Sequence, residues 1–490
     1  MKNQVFNPYL PLDVYIPDGE PHVFGDRVYV YGSHDKEGGN TFCMLPYEVW
    51  SAPIDDLSRW ESLGVAYTGE DDPNLTKEKH YMYAPDCVRG NDGRYYLYYC
   101  RGGYCEPISV AVSEKPDGPF HYHGAVHYPD GRLLTRGITF DPAVINDDGV
   151  IRLYYGAGLS ILANLENSIT RPLIERLMAA AVNKPLEQIR QEEDGIHGPV
   201  HVVLADDMVT AVSEPVKFMP SRTKGTQWDG HAFFEASSIR KINGVYYFLY
   251  SSWNTHDICY ATSRYPDRDF AYRGVIISNG DIGIDGRKPK DRLNFTGNNH
   301  GGMVCIKGQW YIFYHRQTHG DSYNRQGCAE PILIAADGKI EQVAMTSCGL
   351  NGEPLSGIGA YPAGICCNLS NGKMPHGNGK NKKFPQISSI DGKQFLTGLT
   401  GGCFVGYKYF DLTGTVRIGI LCRGNFRGRI RVRDGLEGNT IGETEVMPSD
   451  TWKVTETVLS AANIRKKEKS PLFLFCDGHG SLEIKEFTLA

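Results

Sequence analysis

No stretch of this 490-residue chain approaches the roughly 18 consecutive apolar residues of a membrane span. The segment Met1 to Leu10 has no apolar core of a secretion signal either. Neither a membrane partner nor export is therefore expected. Basic blocks are also missing: Lys+Arg 51 against Asp+Glu 57 gives a formal charge of −6, which argues against a nucleic-acid partner. The cysteines lack a pairing pattern. There are thirteen, an odd number at irregular spacing, with Cys366 and Cys367 adjacent and with Cys100 and Cys105 lacking the second half of a zinc site. They read as reduced, mostly buried thiols of a cytoplasmic protein.

Helical periodicity is scarce as well. Gly 56, Tyr 29 and Pro 27 favour a turn-rich, strand-rich, all-β protein. The length is too great for one ordinary domain. A repeat runs through the first two thirds. A polar anchor (Asp18, Asp86, Asp141, Glu235, His300) is followed 7 to 9 residues on by a glycine (Gly25, Gly93, Gly149, Gly244, Gly308), then by an aromatic strand such as Tyr246-Tyr-Phe-Leu-Tyr250. A glycine between two β-rich runs reads as a hairpin. Intervals of about 50 to 70 residues hold the four strands of a propeller blade, so five units predict a five-bladed β-propeller over residues 1–345, its innermost strands converging on an axis.

The interval from Asp141 to Glu235 is too long for one blade, and residues 159–193 or so read as a helical insertion. Ile161, Leu165 and Ile169, then Leu173, Leu177 and Ala181, recur at helical spacing, and Pro172 and Pro185 suit the starts of later turns. Such an insertion packs outside the ring or serves as a lid or subunit contact; homo-oligomerisation is left open. After a Gly/Pro-rich stretch, short alternating strands from about Gly401 onward predict a β-sandwich over residues 346–490.

Three anchors are carboxylates from different blades: Asp18, Asp141 and Glu235. Carboxylates gathered in one pocket point to chemistry or a cation. Phe140 and Phe233-Phe234 stand beside two of them. Apolar rings raise an acid's pKa and stack on sugar faces, a pattern that points to glycosidic-bond hydrolysis.

The segments Tyr15-Ile-Pro-Asp18 through Gly32-Ser-His-Asp35, Tyr83-Ala-Pro-Asp86, Phe140-Asp-Pro-Ala-Val144, Phe234-Glu-Ala-Ser-Ser-Ile239 and Gly297-Asn-Asn-His-Gly-Gly302 resemble glycoside hydrolase family 43, in order and at all five blades. The resemblance implies an inverting five-bladed propeller enzyme: a β-xylosidase, α-L-arabinofuranosidase or arabinanase. It implies Asp18 as general base, Glu235 as general acid and Asp141 as the carboxylate that orients and tunes the acid. Pro21 follows Asp18 by three residues where many members have Asp-Pro, so Glu20 and Asp13 are rivals for the base.

The resemblance also makes Arg325 the arginine that contacts sugar and carboxylates, with Arg316 its rival. Asp86 is either a pocket residue or a bond to blade backbone. Trp253, Phe42 and Trp228 are candidate stacking walls. His300 matches a histidine near the axis, beside a cavity that in relatives sometimes holds calcium. One imidazole is a poor calcium site, so water would complete the shell, or His300 is a hydrogen-bonded core residue. No cofactor is required; any calcium would be structural.

The stretch from Gly406-Tyr-Lys-Tyr-Phe-Asp411 to Leu482-Glu-Ile-Lys-Glu-Phe-Thr-Leu489 is similar to a family 6 carbohydrate-binding module, expected to brace the propeller rather than to bind polymer. The expected function is removal of terminal β-D-xylose or α-L-arabinofuranose from plant-derived oligosaccharides. An endo-arabinanase or a non-catalytic sugar-binding propeller are the alternatives.

Overall fold

The computed structural model describes residues 4–75, 81–102, 106–158, 170–181, 184–192, 198–220, 223–377, 384–460 and 468–490. Five antiparallel sheets follow one another along the chain, each meandering through neighbouring strands. The first runs through Glu20–Phe24, Arg27–Tyr31, Tyr47–Pro53 and Glu61–Tyr67, and the second from Met82–Arg89 to His121–Ala125. The third begins at Ala143–Asp147 and the fourth at Phe233–Ile242. The fifth has three strands, Met303–Ile306, Gln309–Gln317 and Arg325–Ile332. The first strands of the first four sheets lie side by side around an axis, that of the fifth lies beside the first, and Arg240 of the fourth donates to the Met303 carbonyl of the fifth (2.7 Å). This is the five-bladed propeller that the repeat predicts. The five hairpin glycines all have positive φ, from 64° at Gly25 to 92° at Gly149, a conformation that glycine adopts without Cβ strain.

The ring closes through the N-terminal segment. Val5, Tyr9, Leu10 and Ile16 pack into a core shared with Val304, Phe313 and Ala329 of the fifth sheet. Asn7 locks this seam: its side-chain amide donates to the Ala329 carbonyl (3.0 Å), and its Oδ1 accepts from the Ala329 N–H (2.9 Å).

Two helices, α1 (Arg171–Ala181) and α2 (Leu186–Glu192), lie in the long third-blade interval. The first part of the anticipated helix, with Ile161, Leu165 and Ile169, falls outside the described residues. Within α1 the packed face is Ile174 and Met178, against Ile138, Ala157 and Phe140, while Leu173 and Leu177 stay exposed. Glu175 joins the two helices by accepting from Arg171 (3.1 Å) and Arg190 (2.9 Å). Buried Lys184 donates to the carbonyls of Thr135 (2.8 Å) and Gly137 (2.6 Å).

Beyond the propeller strands, two six-stranded sheets face each other over one large apolar core. They form a β-sandwich whose strands run from Leu355–Ser356 to Leu482–Leu489. All twelve described cysteines are free, and only Cys305 is not fully buried. No described helix is long and apolar enough to cross a membrane.

Candidate active site

Four of the five anchors meet at one cavity of about 230 Å³, lined by Asp18, Asp141, Glu235 and His300 together with Phe42, Tyr83, Ala84, Phe140, Phe234, His256, Asn298, Asn299, His315 and Arg325. Local backbone geometry presents them. Asp18 (φ 57°) and Asp141 (φ 47°) sit in the left-handed region just before or at the start of their inner strands, and Ala236, after Glu235, has φ 68°. Such conformations are costly for non-glycine residues and gather where a site needs a side chain turned out of the regular pleat. In the fourth blade the ladder slips on both sides of Glu235, a bulge that re-aims this side chain.

The fifth anchor is corrected. Asp86 does not line the cavity: its carboxylate accepts from the backbone N–H groups of Cys87 and Val144 (2.7 Å each) and lies 2.7 Å from His22 Nε2. The residue of the second blade that does line the cavity is Ala84, with φ 32°. Aligning Tyr83-Ala84-Pro85 with Phe140-Asp141-Pro142 on the prolines would have put Ala84 opposite Asp141 and left Asp86 two residues deeper in the strand.

Arg325 grips Asp18 through Nη1, 2.9 and 3.1 Å from its two oxygens. The same guanidinium binds Asp35 through Nε (2.8 Å) and Nη2 (2.9 Å). The Phe42 ring lies against it, 4.8 Å from the guanidinium carbon. His315 completes the setting of Asp18: Nδ1 is 3.2 Å from Asp18 Oδ1, and Nε2 is 2.7 Å from Asn298 Oδ1. The sequence reading gave no role to Asp35 or His315; that Asp35 ends the Gly32-Ser-His-Asp35 segment and that His315 directly precedes Arg316 were the only signals.

The electrostatics separate the carboxylates. Burial alone would raise Asp18, but the Arg325 guanidinium and His315 outweigh it and hold the carboxyl far below the usual range. Glu235 has no such partner. Burial and the negative charge of Asp18 push it up to about 8, with Arg325 opposing. Asp141 is also raised, by burial and by Glu235 and Asp18, while its Oδ2 accepts from the Ala236 N–H (2.8 Å). One ionised and one protonated carboxyl facing the same space can act as base and acid.

The other candidates sort clearly. Glu20 is turned away from the cavity and paired with Arg240 (2.8 Å), and Asp13 is exposed. Arg316 donates to the carbonyls of Gly364 (2.6 Å) and Cys366 (2.7 Å) rather than to the site. Trp253 is corrected: it does not line the cavity but packs edge-on against Phe234, which does (4.8 Å). Trp228 is buried in the fourth-blade core among Tyr250 and Tyr272. Phe42 and Phe234 are the walls instead.

His300 lines the cavity, with Nδ1 3.6 Å from Asp141 Oδ2, and burial lowers its pKa to about 4. Its buried Nε2 has no protein partner. Calcium wants six to eight oxygens. Asp141, the carboxylate paired with His300, already takes the Ala236 N–H. Glu20, His22 and Asp86 form the one described group of close metal-type ligands, and there the Arg240 guanidinium and backbone N–H groups hold the carboxylates. These residues do not fit a calcium shell by themselves, and no step of the chemistry below runs through one.

Residues 12–340 match the sequence model of Glycosyl hydrolases family 43. A xylosidase/arabinosidase of Thermoclostridium stercorarium is 41% identical over 100% of this chain and 99% of its own. A xylosidase/arabinosidase of Bacteroides ovatus is 32% identical over 68% of this chain and 96% of its own, so its length is taken up almost entirely by that match. A solved structure from a compost microbial metagenome is a family 43 β-xylosidase/α-arabinofuranosidase with xylotriose, in a calcium-free form. It is 29% identical over 68% of this chain and 96% of its own, with a TM-score of 0.51. This chain belongs to glycosyl hydrolase family 43 and is a glycoside hydrolase.

Proposed function

We propose that this protein is an inverting exo-glycosidase that removes a terminal β-D-xylosyl or α-L-arabinofuranosyl residue from short plant-derived oligosaccharides. The observation that carries the reading is the opposite displacement of two carboxyls in one cavity. Asp18, ionised by Arg325 and His315, is the general base that takes a proton from water. Glu235, protonated near neutral pH, gives its proton to the leaving glycosidic oxygen. Water then attacks the anomeric carbon on the face opposite the departing group, and the configuration inverts. Asp141 orients the segment after Glu235 through the Ala236 N–H, while burial and the Asp18 charge keep the acid protonated. Arg325, beside Phe42, holds Asp18 and is itself fixed by Asp35.

Removal of a single terminal sugar suits the cavity. At about 230 Å³ it lies below the roughly 300–1,000 Å³ of sites that enclose larger ligands. An open arabinan-binding cleft is not needed to explain it. The named relatives with xylosidase/arabinosidase activity support the pentose, and the free, buried cysteines support a reducing, cytoplasmic setting. The kinship of the sandwich to family 6 carbohydrate-binding modules belongs to the same proposal, supported by its two facing sheets.

The test is hydrolysis of nitrophenyl β-xyloside, α-arabinofuranoside and β-galactoside, with NMR of the first-formed sugar. Release of a pentose as the inverted anomer is expected. A retained anomer, or turnover of the galactoside alone, would overturn the assignment.

A further inference from the structure

The propeller strands end at Ile332, yet a later segment of the chain returns to pack against a residue that lines the site. Met374 to Gly377 runs beside Thr296, just ahead of the cavity-lining Asn298, Asn299 and His300. Thr296 N–H donates to the Pro375 carbonyl (3.3 Å), and Gly377 N–H donates to the Thr296 carbonyl (3.0 Å). The Thr296 hydroxyl lies 2.9 Å from His376 Nδ1. A Cβ on Gly297 would come within 2.8 Å of the Gly377 carbonyl oxygen, so the approach is close enough to need glycine there.

This docking aims the His376 ring at His256, stacked with centroids 5.2 Å apart and planes at 30°. His256 lines the cavity and has φ 52°, a strained conformation for a histidine that its surroundings must hold. Its other neighbours are the edge of Phe234 (4.9 Å), next in the chain to Glu235, and the Ser251 hydroxyl (3.4 Å), whose residue pairs with Glu235 across the strands. A chain of rings therefore runs from the C-terminal part of the molecule to the wall beside the acid: His376, His256, Phe234.

We propose that His376 is a positioning residue for this active site, setting through His256 how tightly the wall beside Glu235 holds the sugar. The Bacteroides relative matches only 68% of this chain while using 96% of its own. The inference rests on the pentosidase reading above.

The experiment measures kcat and KM on the preferred nitrophenyl pentoside for wild type, His376→Asn and His376→Phe, each with a thermal melt. Asparagine can keep a hydrogen bond to Thr296 but loses the ring; phenylalanine does the reverse. An aromatic pair is worth enough to raise KM by about 2- to 10-fold when lost. His376→Asn should show that rise with kcat within about twofold, the signature of lost binding that ground state and transition state share. His376→Phe should restore most of it. A folded His376→Asn with wild-type KM overturns the inference, as does a His376→Phe equally impaired in KM. So does a fall in melting temperature with both constants unchanged, which is a structural role only. Wild type inert on every pentoside would instead sink the pentosidase reading and this inference together.

Discussion

Asp18 and Glu235 are both buried carboxyls, yet their surroundings drive them apart, and the difference lies in one side chain. Arg325 places Nη1 on Asp18, and Glu235 has neither that bond nor any other described charge partner of opposite sign at hydrogen-bond distance. The two truncated roles should therefore fail differently. In Glu235→Gln, kcat/KM should fall by about 10²–10⁴-fold on a natural disaccharide, the usual worth of a positioned proton donor. It should fall much less on an aryl glycoside whose leaving group departs without help. In Asp18→Asn the loss should persist on both, since water still needs its base. The wild-type profile should lose activity as pH rises through about 8, where Glu235 gives up its proton, and Glu235→Gln should lack that limb. Steady-state kinetics on paired substrates across pH 5–10 or so check this; full activity of Glu235→Gln on the disaccharide would remove Glu235 from the mechanism.

The inner strands show what a repeat can and cannot tell. Hairpin glycines and aromatic strands announce the blades, because alternation and positive φ are local demands that a sequence must meet in place. The exact residue that faces the axis is set by bulges, as at Glu235, and by left-handed backbone, as at Asp18, Ala84 and Asp141, and a constant offset from the hairpin does not track those. Hence Asp86 was misplaced and Ala84 overlooked, while Asp18, Asp141, Glu235 and Arg325 were legible from their motifs. Packing inside an element was less visible still: α1 buries Ile174 and Met178, one residue along from the Leu173–Leu177 stripe. The fifth inner strand illustrates how tightly these elements sit. A Cβ on Gly301 would lie 2.0 Å from the Phe313 carbonyl oxygen and 2.6 Å from its carbon, backbone atoms that cannot swing aside. Gly301→Ala should therefore cost about 1–3 kcal/mol, as overpacking does. Urea unfolding against wild type measures it, and an unchanged midpoint would mean that the strand entry is looser than drawn.

At the scale of the molecule, a sandwich was foreseeable from strand rhythm, but the seam that joins it to the propeller was not, since its partners stand 48 to 382 residues apart and are unremarkable singly. Lys408 reaches the buried Asp281 carboxylate at 2.7 Å, and Asn368 donates to the same oxygen at 2.9 Å. Arg316, buried in the fifth blade, spends two donors on the carbonyls of Gly364 and Cys366, and Gln394 donates to the Leu12 carbonyl (2.7 Å). Removing the partners would leave a buried carboxylate and a buried guanidinium facing a surface built to be covered. Stripping one member from a buried ion pair costs about 3–5 kcal/mol, a large part of the roughly 5–15 kcal/mol that holds an ordinary domain. A chain ending near residue 350 should accordingly be insoluble, or melt well below wild type, even though a Bacteroides relative makes do with the shorter length. Expression of that truncation, with a melting curve and kcat/KM, decides the matter. A soluble remainder with wild-type melting and full activity would show that the sandwich is merely attached, and that neither Lys408 nor Arg316 braces the catalytic ring.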